Sequence, residues 1–337
     1  MKVILLYNEP TLAADDPDAA SEAGVLESVE AVVAALERRG HRAIPIGLPG
    51  MPAAAEVVLR LEPADLVFNL FEGLGGVGRG EAEIAGLVEL CGHALTGSPP
   101  ECLALVRNKA RTKWLLGGAG VPTAEFQLVT ADQEVDRDAL QALLDRGPVI
   151  VKPAHEDASL GISPESVVET FERLEEQLAF VHARYGPALV EQFIVGREFN
   201  AAVLALPEPE VLPLSEIEFG PAFAPDRQIV TYAAKWSSES EACLHTPVRC
   251  PADVAPELAA EIRRVALAAF RLTDCRDYAR VDMRVDGQGR VYVLEVNGNP
   301  DIGPTAGFAR ALGVAGIGYD IFIDRLVRHA QLRCRRS

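Results

Sequence analysis

Between Arg280 and Asn297 the chain reads Arg-Val-Asp-Met-Arg-Val-Asp-Gly-Gln-Gly-Arg-Val-Tyr-Val-Leu-Glu-Val-Asn. Two runs with apolar residues at alternate positions flank Asp286-Gly287-Gln288-Gly289, the pattern of a β-hairpin. With residues 287 to 290 as the loop, Asp282 lies opposite Glu295 and Arg280 opposite Asn297. Side chains alternate faces along a strand, so these four polar groups share one face. Val281, Met283, Leu294 and Val296 then form the opposite, core-facing side. Two carboxylates about 5 Å apart repel by roughly 3 kcal/mol at an effective dielectric near 20, and like charges across a strand pair are destabilising. A cation between them removes the conflict. The oxygen donors of Asp282, Glu295 and Asn297 suit Mg²⁺, with Mn²⁺ as the alternative, and such an ion takes phosphate oxygens as further ligands. The competing reading is a solvated face on which Arg280 neutralises Asp282. The apolar runs on both strands, and the Asn297-Gly-Asn-Pro300 that follows, favour the metal.

Two other stretches carry chemistry. Pro148-Val-Ile-Val-Lys152-Pro153 is an apolar strand ended by a lysine, and Ala154 to Ile162 follows as a small loop with Ser159 and Gly161. That arrangement can aim an ammonium and backbone N–H groups at phosphates; a solvated strand-end lysine is the plain alternative. Gly73, Gly75 and Gly78 spell Gly-x-Gly-x-x-Gly, but no acid stands in His93-Ala-Leu-Thr-Gly97, about 20 residues on, where a dinucleotide site needs one. A surface turn is the simpler reading.

The elements that position these groups follow from periodicity. Val3 to Tyr7, a helix from Ser21 to Arg39, Ala43 to Ile46 and Asp65 to Leu70 give the strand–helix–strand rhythm of a parallel sheet. Ligands of such sheets bind at the carboxyl ends of strands, here the loops after Leu6 and Leu70. Residues 101–119 form a helical stretch with Arg107, Lys109, Arg111 and Lys113. A strand at 126–129, helices at 132–144 and 165–185, and strands at 188–194 and from 198 through 218 follow. A helix at 251–273, the hairpin, and helices at 303–312 and 319–328 complete the chain. The later part is mixed and largely antiparallel. The expected division is an N-terminal α/β domain over 1–98, a small α+β subdomain over 99–187 and a C-terminal subdomain over 188–337, with Pro99-Pro100 at the first boundary.

The chain has 337 residues, 49% hydrophobic and 24% charged, which suits a globular protein of two or three domains. A formal charge of −17 excludes a general nucleic-acid binder. No apolar run approaches about 18 residues, so no membrane span is expected. The opening Met1-Lys-Val-Ile-Leu-Leu-Tyr-Asn reads as a strand rather than a signal peptide. Cysteines at 91, 102, 243, 250, 275 and 334 form no Cys-x-x-Cys pair and read as reduced thiols of a cytoplasmic protein.

Taken together the motifs resemble the ATP-grasp ligases, and among them the D-alanine–D-alanine ligases. Asn108-Lys109…Lys113, Val151-Lys152-Pro153-Ala154…Ser159-x-Gly161, Val190-Glu191-Gln192-Phe193…Gly196-Arg197-Glu198, Tyr232-x-x-Lys235, Ala279-Arg280-x-Asp282 and Leu294-Glu295-x-Asn297 occur in the family's order over nearly the whole length. The resemblance implies an ATP-grasp fold, α/β and α+β, preceded by an N-terminal parallel α/β domain. It also implies that Lys109 and Lys152 hold ATP phosphates and that the loop around Ser159 covers them. The backbone of Glu191, Gln192 and Ile194 would read adenine, Glu198 would hold the ribose, and Asp282, Glu295 and Asn297 would hold Mg²⁺. Arg280 and Lys235 would act on the reacting groups. The implied reaction joins a small-molecule carboxylate to an amine through an acyl phosphate, and family analogy suggests a homodimer.

The substrate side departs from the ligase pattern. Glu9 follows the first strand in place of a glycine-rich loop, and Glu72-Gly73 replaces His-Gly. Ala158 takes a serine position, Lys235-Trp236 replaces Lys-Tyr, Asp301 replaces a glycine, and Ala306, with Thr305 beside it, replaces a carboxylate-binding serine. Glu9, Glu72, Trp236, Asp301 and Thr305 are therefore the candidate substrate residues. The acids among them favour an amine or cationic substrate over a pair of D-alanines. A genuine D-alanine–D-alanine ligase and a nucleotide-binding ATP-grasp protein without ligase activity are the alternatives.

Overall fold

The structure is a computed structural model that describes residues 1–13, 16, 19–73, 80–133, 135–221, 223–236 and 240–334. Its first layer contains β1 (Lys2–Asn8), α1 (Ala19–Ala23), α2 (Val25–Arg38), β2 (Arg42–Leu48), α3 (Ala53–Leu59), β3 (Leu66–Leu70) and α4 (Glu81–Leu90). The strands form a parallel sheet in the order β2-β1-β3. The helix read from Ser21 to Arg39 is two helices, because Gly24 interrupts the pattern; glycine is a poor helix former. Asn8 Oδ1 accepts the Glu72 N–H at 3.3 Å, so the loops after β1 and β3 meet at the carboxyl end of the sheet.

Next in chain order come α5 (Pro100–Arg107) and α6 (Lys109–Gly118), which pack through Cys102, Val106 and Leu116 with the later sheet, and then a second layer of β4 (Phe126–Val129), α7 (Arg137–Leu144), β5 (Val149–Pro153), β6 (Val167–Val168), α8 (Phe171–Arg184) and β7 (Ala188–Gln192). Its sheet is antiparallel, in the order β4-β7-β5-β6. Three helices differ from the sequence reading, each at a cap. Asp136 accepts the Ala139 N–H at 3.0 Å, so α7 starts there rather than at 132. Thr170 caps α8, and the residues before it form a single 3₁₀ turn and β6. Asn108 divides the 101–119 stretch: its backbone is extended and its Oδ1 accepts the Arg111 N–H at 3.0 Å. The break makes Lys109 the first residue of α6 and puts Lys113 one turn on. Asn108→Ala should cost about 1 kcal/mol, the usual loss of an N-cap, read as a lowered urea midpoint at unchanged slope.

The third layer contains β8 (Gly196–Ala205), β9 (Pro209–Val211), β10 (Ser215–Ile217), α9 (Tyr232–Trp236), α10 (Glu241–Leu244), β11 (Val248–Arg249), α11 (Pro256–Leu272), β12 (Tyr278–Asp286), β13 (Val291–Asn297), α12 (Gly307–Val314) and α13 (Tyr319–Cys334). The sheet runs β11-β10-β8-β12-β13, with β9 also paired to β8, and its pairings are antiparallel. The expected rungs Arg280–Asn297 and Asp282–Glu295 are present. Nearer the turn the register differs by one, with Val285 opposite Val291 and Met283 opposite Val293, so Leu294 is the extra residue of a β-bulge. Leu294 is accordingly half-buried, and Val293 takes the core position read for it.

One face of this sheet packs on α11, through Val281, Met283, Val293, Ile262 and Val265. On the other face Ala202, Leu204 and Tyr278 join α2, β1, β3, α12 and α13 in a shared core. Tyr278 is fully buried, with Phe308 and Phe322 edge-on at 5.7 and 6.1 Å. By strand parity Arg280, Asp282 and Arg284 continue along the Tyr278 face, passing from core to cleft.

Candidate active site

The rungs of β12 and β13 set the centre. Arg280 donates from Nε to Asp282 Oδ1 and from Nη2 to Asp282 Oδ2, both at 2.7 Å. Asn200, opposite Asp282 on β8, donates to Asp282 Oδ1 at 2.8 Å. The neutralisation of Asp282 by Arg280 weighed above is therefore part of the structure. Glu295 is held differently. Burial pushes its pKa up, but Lys109, Lys152, Arg280 and Lys235 outweigh that and hold it down to about 2. Four cations from α6, β5, β12 and α9 thus act on one carboxylate.

Lys109 stands at a helix N-terminus, where the dipole disfavours a cation. It is buried, and its Nζ donates to Asp157 Oδ1 at 2.7 Å and to the Glu156 carbonyl, with Glu295 Oε2 at 3.4 Å. Burial opposes its charge, yet Asp157 and Glu295 raise its pKa above the ordinary lysine value. Lys113, one turn along the same face, reaches Thr123 Oγ1 at 2.7 Å, Glu191 Oε1 at 3.0 Å and the Val293 carbonyl at 3.3 Å. Lys152 Nζ meets Glu191 Oε2 at 2.9 Å. Glu191 is thus a buried carboxylate gripped by two ammonium groups. Burial lowers Lys113 to about 8 against the pull of Glu191. Burial would raise Glu191, but Lys113 and Lys152 keep it below the usual range. Sequence reasoning placed Lys113 in a motif without giving it a role; its i,i+4 spacing from Lys109 was the available signal.

The loop after β5 is tightly turned. Ala158 and Ser159 adopt left-handed backbone, with φ of 57° and 61°, and the Leu160 and Ile162 N–H groups bond back to the Asp157 and Ser159 carbonyls. The Tyr232 N–H donates to the Ile162 carbonyl at 3.2 Å, tying the α9 segment to this loop. Beyond β7, Gln192 Nε2 donates to the Pro148 carbonyl at 2.8 Å. The Ile194 carbonyl and the Glu198 carboxylate are both engaged by Arg284, at 2.7 and 3.0 Å. Arg284 was missed, although parity puts it on the face of Arg280 and Asp282.

The candidate substrate residues are dispersed. Asp301 Oδ1 accepts from Ser28 Oγ at 3.0 Å and from the Gly303 N–H at 2.8 Å. The Glu72 carboxyl feels the charge of Asp301, and desolvation, then Asp301, push its pKa up to about 7. Thr305 bonds Glu27 at 3.3 Å at the surface. Glu9 folds over Gly47 at the end of β2, and no hydrogen bond among the described residues joins it to Glu72 or Asp301. The side chain of Trp236, and Gly75 and Gly78 of the glycine-rich loop, lie outside the described residues. Glu81, unremarked in the sequence, has its pKa raised well above normal by burial and receives a 3.0 Å bond from Asn299.

The raised Glu72 pKa has a definite sign. The folded state holds its proton more tightly than the unfolded chain, so the contribution is present below pH 4.5 and is lost as pH rises through about 7. Glu72→Gln should therefore melt with wild type at low pH and above it at pH 8, checked by thermal unfolding at both values.

Among the described residues no three His, Cys, Asp or Glu side chains gather to hold a metal ion. The candidate set is two carboxylates and one amide, and the donors are all oxygen. Glu295 is ionised near neutral pH, and Asn297 Oδ1 already accepts the Asn299 N–H at 3.0 Å. A hard cation such as Mg²⁺, which needs only one or two carboxylates and fills its shell with water and phosphate, fits this donor set.

A family model described as "D-ala D-ala ligase C-terminus" matches residues 115–328. The D-alanine–D-alanine ligase of Desulforudis audaxviator is 34% identical over 313 residues, covering 91% of this chain and 94% of that one. An uncharacterized protein, y4sG, of Sinorhizobium fredii is 34% identical over 310 residues, covering 90% and 87%. Among solved structures, the D-alanine–D-alanine ligase of Bacillus anthracis complexed with ATP matches with a TM-score of 0.79 at 19% identity, covering 100% of this chain and 99% of that one. That likeness speaks for the fold.

Proposed function

The chain belongs to the D-alanine–D-alanine ligase family of ATP-grasp enzymes, ADP-forming ligases that make carbon–nitrogen bonds, and on that premise we propose that it joins an amino-acid-like carboxylate to an amine, with a substrate pair other than two D-alanines. The convergence of Lys109, Lys152, Arg280 and Lys235 on Glu295 carries the ligase reading. A triphosphate binding there meets cations already in place, which is the main demand of phosphoryl transfer.

In this reading a substrate carboxylate oxygen attacks the γ-phosphorus of ATP, the bond to ADP breaks and an acyl phosphate forms. The amine lone pair then attacks the acyl carbon, phosphate leaves, and the amine loses a proton. Lys109 and Lys152 hold phosphate oxygens, under the loop around Ser159. The backbone of Glu191, Gln192 and Ile194 faces the base, and Glu198 the ribose. Asp282, Glu295 and Asn297 would hold Mg²⁺, which when bound would offset phosphate charge. Arg280 and Lys235 stabilise charge on the reacting carboxyl group. The six free cysteines suit a reducing, cytoplasmic setting, and no described helix is long and apolar enough to cross a membrane.

The substrate proposal rests on Asp301 and Glu72: desolvation first, and then the charge of Asp301, raise the Glu72 pKa, and a cationic amine would relieve the second of these. A genuine D-alanine–D-alanine ligase is the second reading, favoured by the 34% identity to a relative of that name. Phosphate release with Mg²⁺, ATP and a panel of carboxylates and amines, with product mass, tests both. Efficient turnover of D-alanine alone would defeat the first reading and establish the second.

A further inference from the structure

Arg284 is the residue that neither the motifs nor the reaction scheme absorbs. It is 2% exposed and lies on β12 directly opposite Glu198 on β8. Its guanidinium reaches three separate segments. Nε and Nη2 donate to Glu198 Oε2 at 3.1 and 3.0 Å, and Nη1 donates to the Ile194 carbonyl at 2.7 Å. Nη2 also donates to the Gln228 carbonyl, in the segment between β10 and α9. The guanidinium lies 4.6 Å from the Phe193 ring centroid and 5.8 Å from that of Phe219. Both bonds to Glu198 land on one oxygen; no bond to Oε1 is formed among the described residues. A buried arginine with its planar fork spent on one carboxylate and two backbone carbonyls fixes geometry in a way a lysine cannot.

We propose that Arg284 is a positioning residue for the nucleotide: it orients Glu198 and the Ile194 carbonyl and ties the Gln228 segment across the same pocket. The assignment rests on the reading that Ile194 and Glu198 face ATP. Arg284 does not touch the reacting phosphate, so its loss weakens nucleotide binding and leaves chemistry at saturation nearly intact. It also frees the Gln228 segment, where Arg227 offers a tryptic site. That site is held in the wild type by Arg227 bonds to Glu169 at 2.8 Å and to the Val167 carbonyl at 3.3 Å.

The test compares wild type, Arg284→Met and Arg284→Lys. Lysine keeps a cation beside Glu198 and loses the fork, so it serves where the methionine variant melts too early to assay. Calorimetry of ATP binding comes first. Wild type should bind; the variants should bind at least about 10-fold more weakly for methionine and about 3-fold for lysine. Under amide-forming conditions KM for ATP should rise in step while kcat stays within about 3-fold, and trypsin should cut after Arg227 faster. A general loss of structure would lower the active fraction without raising KM. Unchanged ATP affinity in the folded variants, read by calorimetry, overturns the assignment while leaving the ligase reading standing. A wild-type protein that binds no ATP removes the ligase reading and this inference with it.

Discussion

A Glu295→Gln protein should form amide and release phosphate roughly 10²–10³-fold more slowly than wild type, the usual scale for removing one preorganised electrostatic group. Glu295 is the carboxylate on which Lys109, Lys152, Arg280 and Lys235 act, and the one candidate metal carboxylate not bonded to Arg280. Glutamine keeps the shape and one oxygen but not the charge. Lys109 would retain Asp157 at 2.7 Å, so the fold should survive. The stability change carries its own pH signature. The folded pKa of Glu295 is depressed to about 2, so its contribution is present above about pH 4.5 and lost as pH falls toward 2. The variant should therefore unfold more easily than wild type at pH 7, with the gap closing in acid. A phosphate-release assay and urea titrations at two pH values read both effects; undiminished turnover would remove Glu295 from the centre.

Glu191→Ala should cost about 3–5 kcal/mol of stability, the typical result of removing one partner from a buried charge pair. Here one carboxylate, 1% exposed, serves two ammonium groups at 3.0 and 2.9 Å. Without it Lys113 and Lys152 face each other in a desolvated site. Lys113 already titrates near 8, and losing Glu191 moves it further down. A lysine with a depressed folded pKa makes the fold more stable as pH rises toward the unfolded value. The deficit should thus be greatest at pH 7 and narrow by pH 9. Replacing Glu191 and Lys113 together by Leu and Met should recover part of the loss, since apolar replacement of a buried ion pair is often neutral. Urea midpoints for the single and double variants at both pH values decide it. A Glu191→Ala protein with wild-type stability would mean that the triad contributes nothing.

The hairpin shows how far sequence reasoning reaches. Alternation gave the faces, and a loop taken as residues 287 to 290 paired Arg280 with Asn297 and Asp282 with Glu295, as observed. It did not see the bulge at Leu294, because an extra residue in one strand leaves the apolar pattern on either side intact. The rungs came out right since the loop is one residue longer than read and the bulge restores the register. Lys113 and Arg284 illustrate the other limit. Periodicity gives the face a side chain occupies, and both faces were readable. Partners such as Glu191 and Glu198 come from strands far along the chain, and only the sheet order brings them near. Caps at Asn108, Asp136 and Thr170 moved helix starts that apolar periodicity alone had blurred.

The shared core bears on how the polypeptide is made. The middle sheet closes its own apolar cluster from residues between Val129 and Val190, so it can condense while the ribosome is still adding the third layer. The first strands have that independence on one side only, where Ile4, Leu6, Val67 and Ile84 cluster with early residues. Val3, Leu5 and Phe68 share a cluster with Phe308, Phe322, Leu326 and Val327, which are synthesised almost last. The opening segment must therefore wait through nearly all of translation with its other side covered only in part, by α2, a stage at which exposed strands invite aggregation. Folding would run against the direction of synthesis, from the middle outward, and the last helix to emerge would be the one that completes the core of the first strand.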